Sequence, residues 1–283
     1  MKKRAVTLLL CLVLVVLSLL RGFAASAAGI IPATNADFDV PCAAAILIDE
    51  DSGTVLYEKN ADARRPIASI TKVMTLLLAF EALEAGKIHL ADFVPVSEHA
   101  YHMGGSQIWL EPGEQFTLDE MIKAICVSSA NDAAVAVAEL VGGSEPGFVQ
   151  MMNARAAELG MVNTTFHNAC GLDTEGHLST AHDVAIMSRE ILNTCPEVLH
   201  YTGIWTDSLR NGQTQLVNTN KLLRRYSGIT GLKTGTTSGA GVCISASATR
   251  DGLTLQMKEE DFDAVLDTNL RAPSAAARPS TAP

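Results

Sequence analysis

Apolar and polar positions alternate in two short runs near the start of the chain, Ala43 to Asp49 and Thr54 to Glu58, on either side of an acidic turn that ends at Gly53. A period of two interrupted by such a turn predicts a β-hairpin. After Pro66 the period changes. Val73, Leu76, Leu77, Phe80 and Leu83 recur at three- and four-residue steps, which predicts a helix from Ser69 to Ala85 stopped at Gly86. From about His89 to Thr194 the helical spacing returns repeatedly. Thr117 and Glu120 have the spacing of a capping box ahead of MIKAICV, and NDAAVAVAELVGG is a helix of small residues closed by glycine. EPGFVQMMNARAAELG ends at Gly160, and Thr180 with Asp183 opens a further helix that Pro196 closes; NACGLD lies in a loop between these two. From Ile204 the pattern turns β-prone, with TGLKTGTTSGAG, VCISASATRDG and LTLQ reading as two or three strands joined by glycine turns. Strands, then helices, then strands predict an α/β (α+β) architecture, in which both ends of the chain build one sheet and a helical lobe, about 89–194, is inserted.

The ends of the chain differ from its middle. Lys2, Lys3 and Arg4 precede an apolar run from Ala5 to Leu20, and Ala25, Ser26 and Ala27 follow. A basic start, a short apolar centre and an A-x-A ending describe a secretory signal at 1–27; the apolar run is shorter than the roughly 20 residues that cross a bilayer. A linker, 28–40, and a folded domain, 41–256, then follow. The segment 257–283 is acidic and then rich in Pro, Ala and Ser, a composition with no reason to order. The signal carries four of the 21 Lys and Arg residues and none of the 31 Asp and Glu, so the mature chain is more acidic than the whole. That charge excludes nucleic acid and electrostatic attachment to anionic lipid as partners. Five cysteines remain, Cys42, Cys126, Cys170, Cys195 and Cys243, an odd set with no CxxC pair, and Cys126 and Cys243 sit in apolar runs as small core residues. The scattered histidines lack HExxH, so no metal is expected.

Candidate chemistry begins at PIASITKVMT. Ser69 and Lys72, three residues apart at the start of a helix, share one face. A serine hydroxyl needs an adjacent base, and a lysine can be that base only when neutral. Moving its pKa from about 10.4 to the 7–8 suited to a general base is a shift of roughly 3 units, about 4 kcal/mol. Burial and the positive end of a helix both act in that direction. Taken alone, such a pair is more often a capped helix with a solvated lysine. SSAND adds Ser129 and Asn131, which could simply cap a helix, and LKTG adds Lys233, Thr234 and Gly235, which could simply end a strand. All three in this order, in an exported protein, argue for one constellation.

The chain resembles the low-molecular-mass penicillin-binding proteins, the serine-type D-Ala-D-Ala carboxypeptidases of peptidase type S11, which carry Ser-x-x-Lys, Ser-x-Asn and Lys-Thr-Gly in this order. RRPIASITKVMT, GSQIWLEPGE, SSANDAAVAVAEL, NARAAELGMVNTTFHNACGLD, STAHDVAIMSREIL and GLKTGTTSGAGVCISASATRDG all look like segments of that family, so the likeness runs from about Pro41 to Leu255. It implies a β-lactamase/penicillin-binding-protein-like fold and an exported hydrolase that removes the terminal D-alanine from peptidoglycan stem peptides through an acyl-enzyme, inhibited covalently by β-lactams. By resemblance Ser69 attacks, Lys72 accepts its proton, Ser129 relays a proton to the leaving amine and Asn131 holds the substrate amide. Lys233 stays charged to attract the terminal carboxylate and Thr234 donates to it. Gly235 lets substrate backbone approach the strand, and the backbone N–H groups of Ser69 and Thr236 form the oxyanion hole. No cofactor is implied, and no membrane anchor is evident after signal cleavage.

Two alternatives stay open: a degenerate, non-catalytic penicillin-binding module, and a class A-like β-lactamase. The latter needs a glutamate for deacylation, and Glu145 and Glu158 lie in helices with other expected roles. The resemblance also sets expectations at which the chain departs. Cys170 stands where a histidine is expected, and the last core strand is expected to be a stub or absent, leaving an apolar sheet face exposed. The β-domain, the C-terminal anchor and a carboxylate-binding arginine after that strand have no counterpart in the sequence.

Overall fold

The computed structural model describes residues 40–249 and, as backbone, 250 and 253–258. The expected signal, most of the linker and the segment beyond Lys258 lie outside the described residues.

The hairpin forms as its alternation requires: β1 (Ala45–Asp49) pairs antiparallel with β2 (Val55–Lys59). The rest of that sheet comes from the other end of the chain, β7 (Ile229–Thr237), β8 (Gly241–Arg250) and β9 (Leu253–Lys258). The order is β2-β1-β9-β8-β7, antiparallel throughout, so both ends of the chain meet between β1 and β9. The expectation of a missing last strand is therefore corrected. β9 is six residues long and occupies the centre of the sheet: the alternation begun in LTLQ continues through Met257 and Lys258, and two neighbours supply its ladder. The expected exposed sheet face is corrected with it at Ile244 and Ala246, which are buried beside Val40 and Leu222.

Two smaller pairs were not anticipated, β3 (Phe93–Val94) with β4 (Phe116–Thr117), and β5 (Thr206–Leu209) with β6 (Thr214–Val217).

Seven α-helices are described: α1 (Lys72–Glu84), α2 (Glu98–Tyr101), α3 (Leu118–Ser128), α4 (Asn131–Gly142), α5 (Glu145–Glu158), α6 (Ala181–Thr194) and α7 (Val198–Thr202). The helix predicted from Ser69 begins instead with a 3₁₀ turn, Ala68–Thr71, and becomes α-helical at Lys72. Its residues Val73 to Ala79 are buried on every side, since it runs through the middle of the core. The small side chains of α4 explain how neighbours come so close: Ala133 to Ala138 are all fully buried, and larger residues there would push α1 and α5 away. Thr117 and Glu120 form the reciprocal capping box. Thr180 caps α6 through the Asp183 amide, but the Asp183 carboxylate turns to the Asn163 amide and Thr164 hydroxyl, so that box is only half made.

Phe148 of α5 is fully buried against this core, and its backbone lies so near Gly142 that a Cβ there would fall 2.7 Å from it. Phe148→Ala should cost about 3–5 kcal/mol, read as a lower urea midpoint with little change in slope.

Candidate active site

The 3₁₀ turn presents Ser69, and α1 begins with Lys72, whose side chain is completely buried. Lys72 Nζ lies 2.8 Å from Ser69 Oγ, 2.6 Å from Asn131 Oδ1 and 2.7 Å from the carbonyl oxygen of Cys170. The Asn131 amide is oriented by its other end, since Nδ2 donates to the Gly104 carbonyl at 2.7 Å. Two of the three partners of Lys72 are thus oxygens that only accept. A neutral amine has two N–H groups and one lone pair; with both N–H groups given to Asn131 and Cys170, the lone pair faces the Ser69 hydroxyl. Burial lowers the Lys72 pKa to about 8, against the opposing pull of Cys170 and the Asp132 carboxylate. Its place at the N-terminal end of α1 acts in the same direction as burial.

Ser129 ends α3 in a left-handed conformation (φ 58°), and the N-cap of α4 is Ala130, without a side-chain bond. The SSAND residues therefore do not cap the following helix. The turn aims Ser129 Oγ at Lys233 Nζ, 2.9 Å away, and the same amine donates to the Thr234 carbonyl at 2.7 Å. Lys233 is buried too, and burial, reinforced by Lys72, lowers its pKa well below the ordinary value. In the protein alone that burial disfavours the charged form of Lys233, which is expected to be charged with a substrate carboxylate beside it. Among the described residues no carboxylate bonds to its Nζ, so only these two hydrogen bonds and the nearby Cys126 act against the loss of solvent.

Lys233, Thr234, Gly235 and Thr236 lie on β7, the edge strand of the sheet. A Cβ on Gly235 would sit 2.8 Å from the Ser69 amide nitrogen and 2.9 Å from Ala68 Cβ. The glycine is needed because β7 packs directly on the 3₁₀ turn, a closer constraint than the approach of substrate backbone. Thr236 is paired with Val242 of β8. The three motifs thus meet at one place, through Lys72 and Asn131, Ser129 and Lys233, and Ser69 and Gly235.

Sequence reasoning missed the groups that brace this arrangement. The Asp132 carboxylate, fully buried, accepts from the amides of Ile108 and Leu110. Thr219 hydrogen-bonds the Thr234 hydroxyl. His177 is held neutral, its pKa lowered to about 4 by burial and then by His167. Its Nδ1 accepts from the His167 amide, which leaves Nε2–H to donate to Thr71 Oγ1 at 2.9 Å, between the two motif residues. Asp173 bonds Thr237 Oγ1 and the Gly239 amide, tying NACGLD to the end of β7. Glu145 is engaged on both oxygens, with His99 and the Ala169 amide, and Glu158 pairs with Arg155. Only the local signals, Gly and Asp in NACGLD, hinted at any of this. Cys170 contributes its backbone oxygen, so the change from the expected histidine leaves the Lys72 partner in place.

The family model for D-alanyl-D-alanine carboxypeptidase matches residues 31–257. The chain belongs to that family. It is 50% identical over 212 residues to the D-alanyl-D-alanine carboxypeptidase DacF of Bacillus subtilis, covering 74% of this chain and 54% of the relative. It is 37% identical over 256 residues to DacC of Escherichia coli, covering 84% of this chain and 63% of the relative. The chain therefore spans a little over half the length of these curated relatives. Penicillin binding protein 6B from Escherichia coli has a similar structure, with a TM-score of 0.76 and 32% identity over 81% of this chain and 74% of that one. Penicillin-Binding Protein D2 from Listeria monocytogenes, solved in its cefotaxime bound form, has a TM-score of 0.72 and 32% identity, covering 78% of this chain and 90% of that one. The fold is the antiparallel sheet with flanking helices that these penicillin-binding proteins share. No helix among the described residues is long and apolar enough to cross a membrane.

Gly171 tests how tightly the family's site is braced. Its φ is +86°, and a Cβ would lie 1.9 Å from the Ala68 carbonyl oxygen. Gly171→Ala should destabilise the protein by roughly 2–4 kcal/mol, read as a lower urea midpoint.

Proposed function

We propose that this chain is an exported serine D-Ala-D-Ala carboxypeptidase that removes the terminal D-alanine of peptidoglycan stem peptides through an acyl-enzyme. The observation that carries this reading is the Lys72 amine, buried, 2.8 Å from Ser69 Oγ, with its other two partners restricted to accepting. Export rests on the basic and apolar start of the sequence.

In the proposed reaction the Ser69 oxygen attacks the carbonyl carbon between the two D-alanines as its proton passes to Lys72. The carbonyl oxygen takes up the negative charge and receives the backbone N–H groups of Ser69 and Thr236. When the tetrahedral species collapses, the C–N bond breaks and the departing amine takes the hydroxyl proton of Ser129, which Lys233 holds in place; the proton that Lys72 accepted from Ser69 restores that hydroxyl and leaves Lys72 neutral again. The ester left on Ser69 is then hydrolysed by water, with Lys72 again the base. The terminal carboxylate of the substrate supplies the negative charge that Lys233 lacks among protein groups, raising its pKa on binding. Asn131 retains one amide N–H for the substrate after donating to Gly104. With Thr219 as the donor of the hydrogen bond it shares with Thr234, the Thr234 hydroxyl proton would be left for that carboxylate.

A β-lactam presents the same reacting carbonyl and would acylate Ser69. With Glu145 held on both oxygens and Glu158 in an ion pair, neither is free to drive rapid deacylation, so the adduct should persist. D-Ala release from a pentapeptide, together with labelling by a fluorescent penicillin, tests the reading against Ser69→Ala. Release and labelling in the unaltered chain alone are expected. Labelling without release indicates a non-turning module, rapid penicillin turnover a β-lactamase, and no labelling of folded chain a dead one.

The Lys72 pKa sets the pH dependence. The base must be unprotonated, so the acylation rate should rise about tenfold per pH unit below 8 and flatten above it. Lys72→Arg, which cannot lose its proton, should lower acylation by about 10²–10⁴. Stopped-flow acylation by a chromogenic penicillin measures both.

A further inference from the structure

Trp109 has 72% of its surface exposed, more than any other aromatic residue described, while Ile108 and Leu110 on either side are 1% exposed. Its backbone is left-handed, with φ +59°. For a residue with a Cβ that conformation is strained, and only Gly, Asn and Asp adopt it readily. An exposed indole in a strained backbone has two separate costs, yet the surrounding structure enforces both. Asp132 takes the amides of Ile108 and Leu110 at 3.1–3.2 Å. Arg210 donates to the carbonyl of Ile108 at 2.8 Å and to that of Trp109 at 3.0 Å, and is itself fixed by Glu114 and the face of Phe116. A lone surface tryptophan needs no explanation; one held rigidly outward by a buried carboxylate and a paired guanidinium does.

The loop that carries it is a wall of the candidate active site. The Asn131 amide donates to the Ser106 carbonyl at 2.7 Å, and Asn131 Nδ2 to that of Gly104. Gly105 is so close that a Cβ would lie 2.6 Å from Asn131 Nδ2, whose amide also holds Lys72. Trp109 is three residues beyond Ser106, hence within about 11 Å of it along the backbone. The third stem residue is the immediate upstream neighbour of the acylated D-alanine and extends further through its side chain, and the attached sugar lies beyond three residues, roughly 10 Å of backbone.

We propose that Trp109 is a substrate-binding residue that stacks on a C–H-rich face of the stem substrate upstream of the D-alanine that acylates Ser69. Two parts of the substrate have that chemistry, the alkyl side chain of the third stem residue and the ring face of the attached sugar. The proposal rests on the carboxypeptidase reading, and the test separates the two.

Trp109 and Trp205 are the two tryptophans of the chain, so Trp205→Phe leaves Trp109 as the reporter. In a full chain carrying Trp205→Phe and Ser69→Ala, Trp109 emission is titrated with free stem pentapeptide and with its disaccharide-linked muropeptide. A change with both places the alkyl side chain on the ring, and a change with the muropeptide alone places the sugar there. No change with either overturns the proposal. D-Ala release is measured separately with the unaltered chain. Release with silent emission refutes the Trp109 subsite alone, whereas an emission change without release refutes the carboxypeptidase and leaves the subsite standing. In an active chain Trp109→Ala should lower kcat/KM about three- to tenfold through KM, with Trp109→Phe restoring most of it. Equal values for Ala and Trp would contradict the stacking.

Discussion

Removing one lysine amine from water organises the rest of this protein. Placed in solvent, Lys72 would be charged and its lone pair unavailable. Placed in an apolar core without partners, it would lose its hydrogen bonds at a cost of several kcal/mol. The structure resolves this by giving it three oxygens and no bulk water. Each oxygen comes from a different part of the chain: the turn that precedes α1, the start of α4, and the loop before α6. The partners must therefore be brought together by the fold, and the fold is built around the point where they meet.

Much of the remaining architecture follows from that requirement. The 3₁₀ turn is pressed between β7 at Gly235 and the NACGLD loop at Gly171, two positions where a methyl group would collide with backbone. The small residues of α4 let Asn131 approach α1 closely. Asp132, next in the chain, braces the 108–110 segment, so one short stretch both holds the lysine and shapes the wall beside it. His177 and Thr71 add a second buried contact beneath the turn. The second lysine, Lys233, sits in the same dry region, and the two titrate as neighbours. The acidic surface of the chain leaves that chemistry untouched, because it is the local loss of solvent that governs it.

What could be read from the sequence was what local rules govern. The β1–β2 hairpin, the capping box at Thr117, the glycine stop after α1 and the run of small residues in α4 all depend on neighbours a few positions away. So does the pairing of Ser69 with Lys72, since one helical turn fixes it. The failures lie where distant contacts decide. LTLQ reads as a strand cut to a stub, yet the ladder runs on to Lys258 because β1 and β8 supply both of its edges. Gly235 gave no sign that the nucleophile turn packs against it. Nothing in the segment around Lys233 reveals that it is buried beside another lysine. Asp132, Thr219, Asp173 and His177 carry no local signature of their roles, which consist of hydrogen bonds across tens of residues.

The account depends on Lys72 being an uncharged amine at neutral to mildly alkaline pH. The most direct measurement is a pH titration of its side chain by NMR in protein labelled with ¹³C at lysine Cε, assigned by comparison with Lys72→Arg. The account predicts a midpoint near 8, below the exposed lysines. A midpoint at the ordinary value of about 10.4 would mean that the amine stays charged, and Lys72 could not then be the base for Ser69.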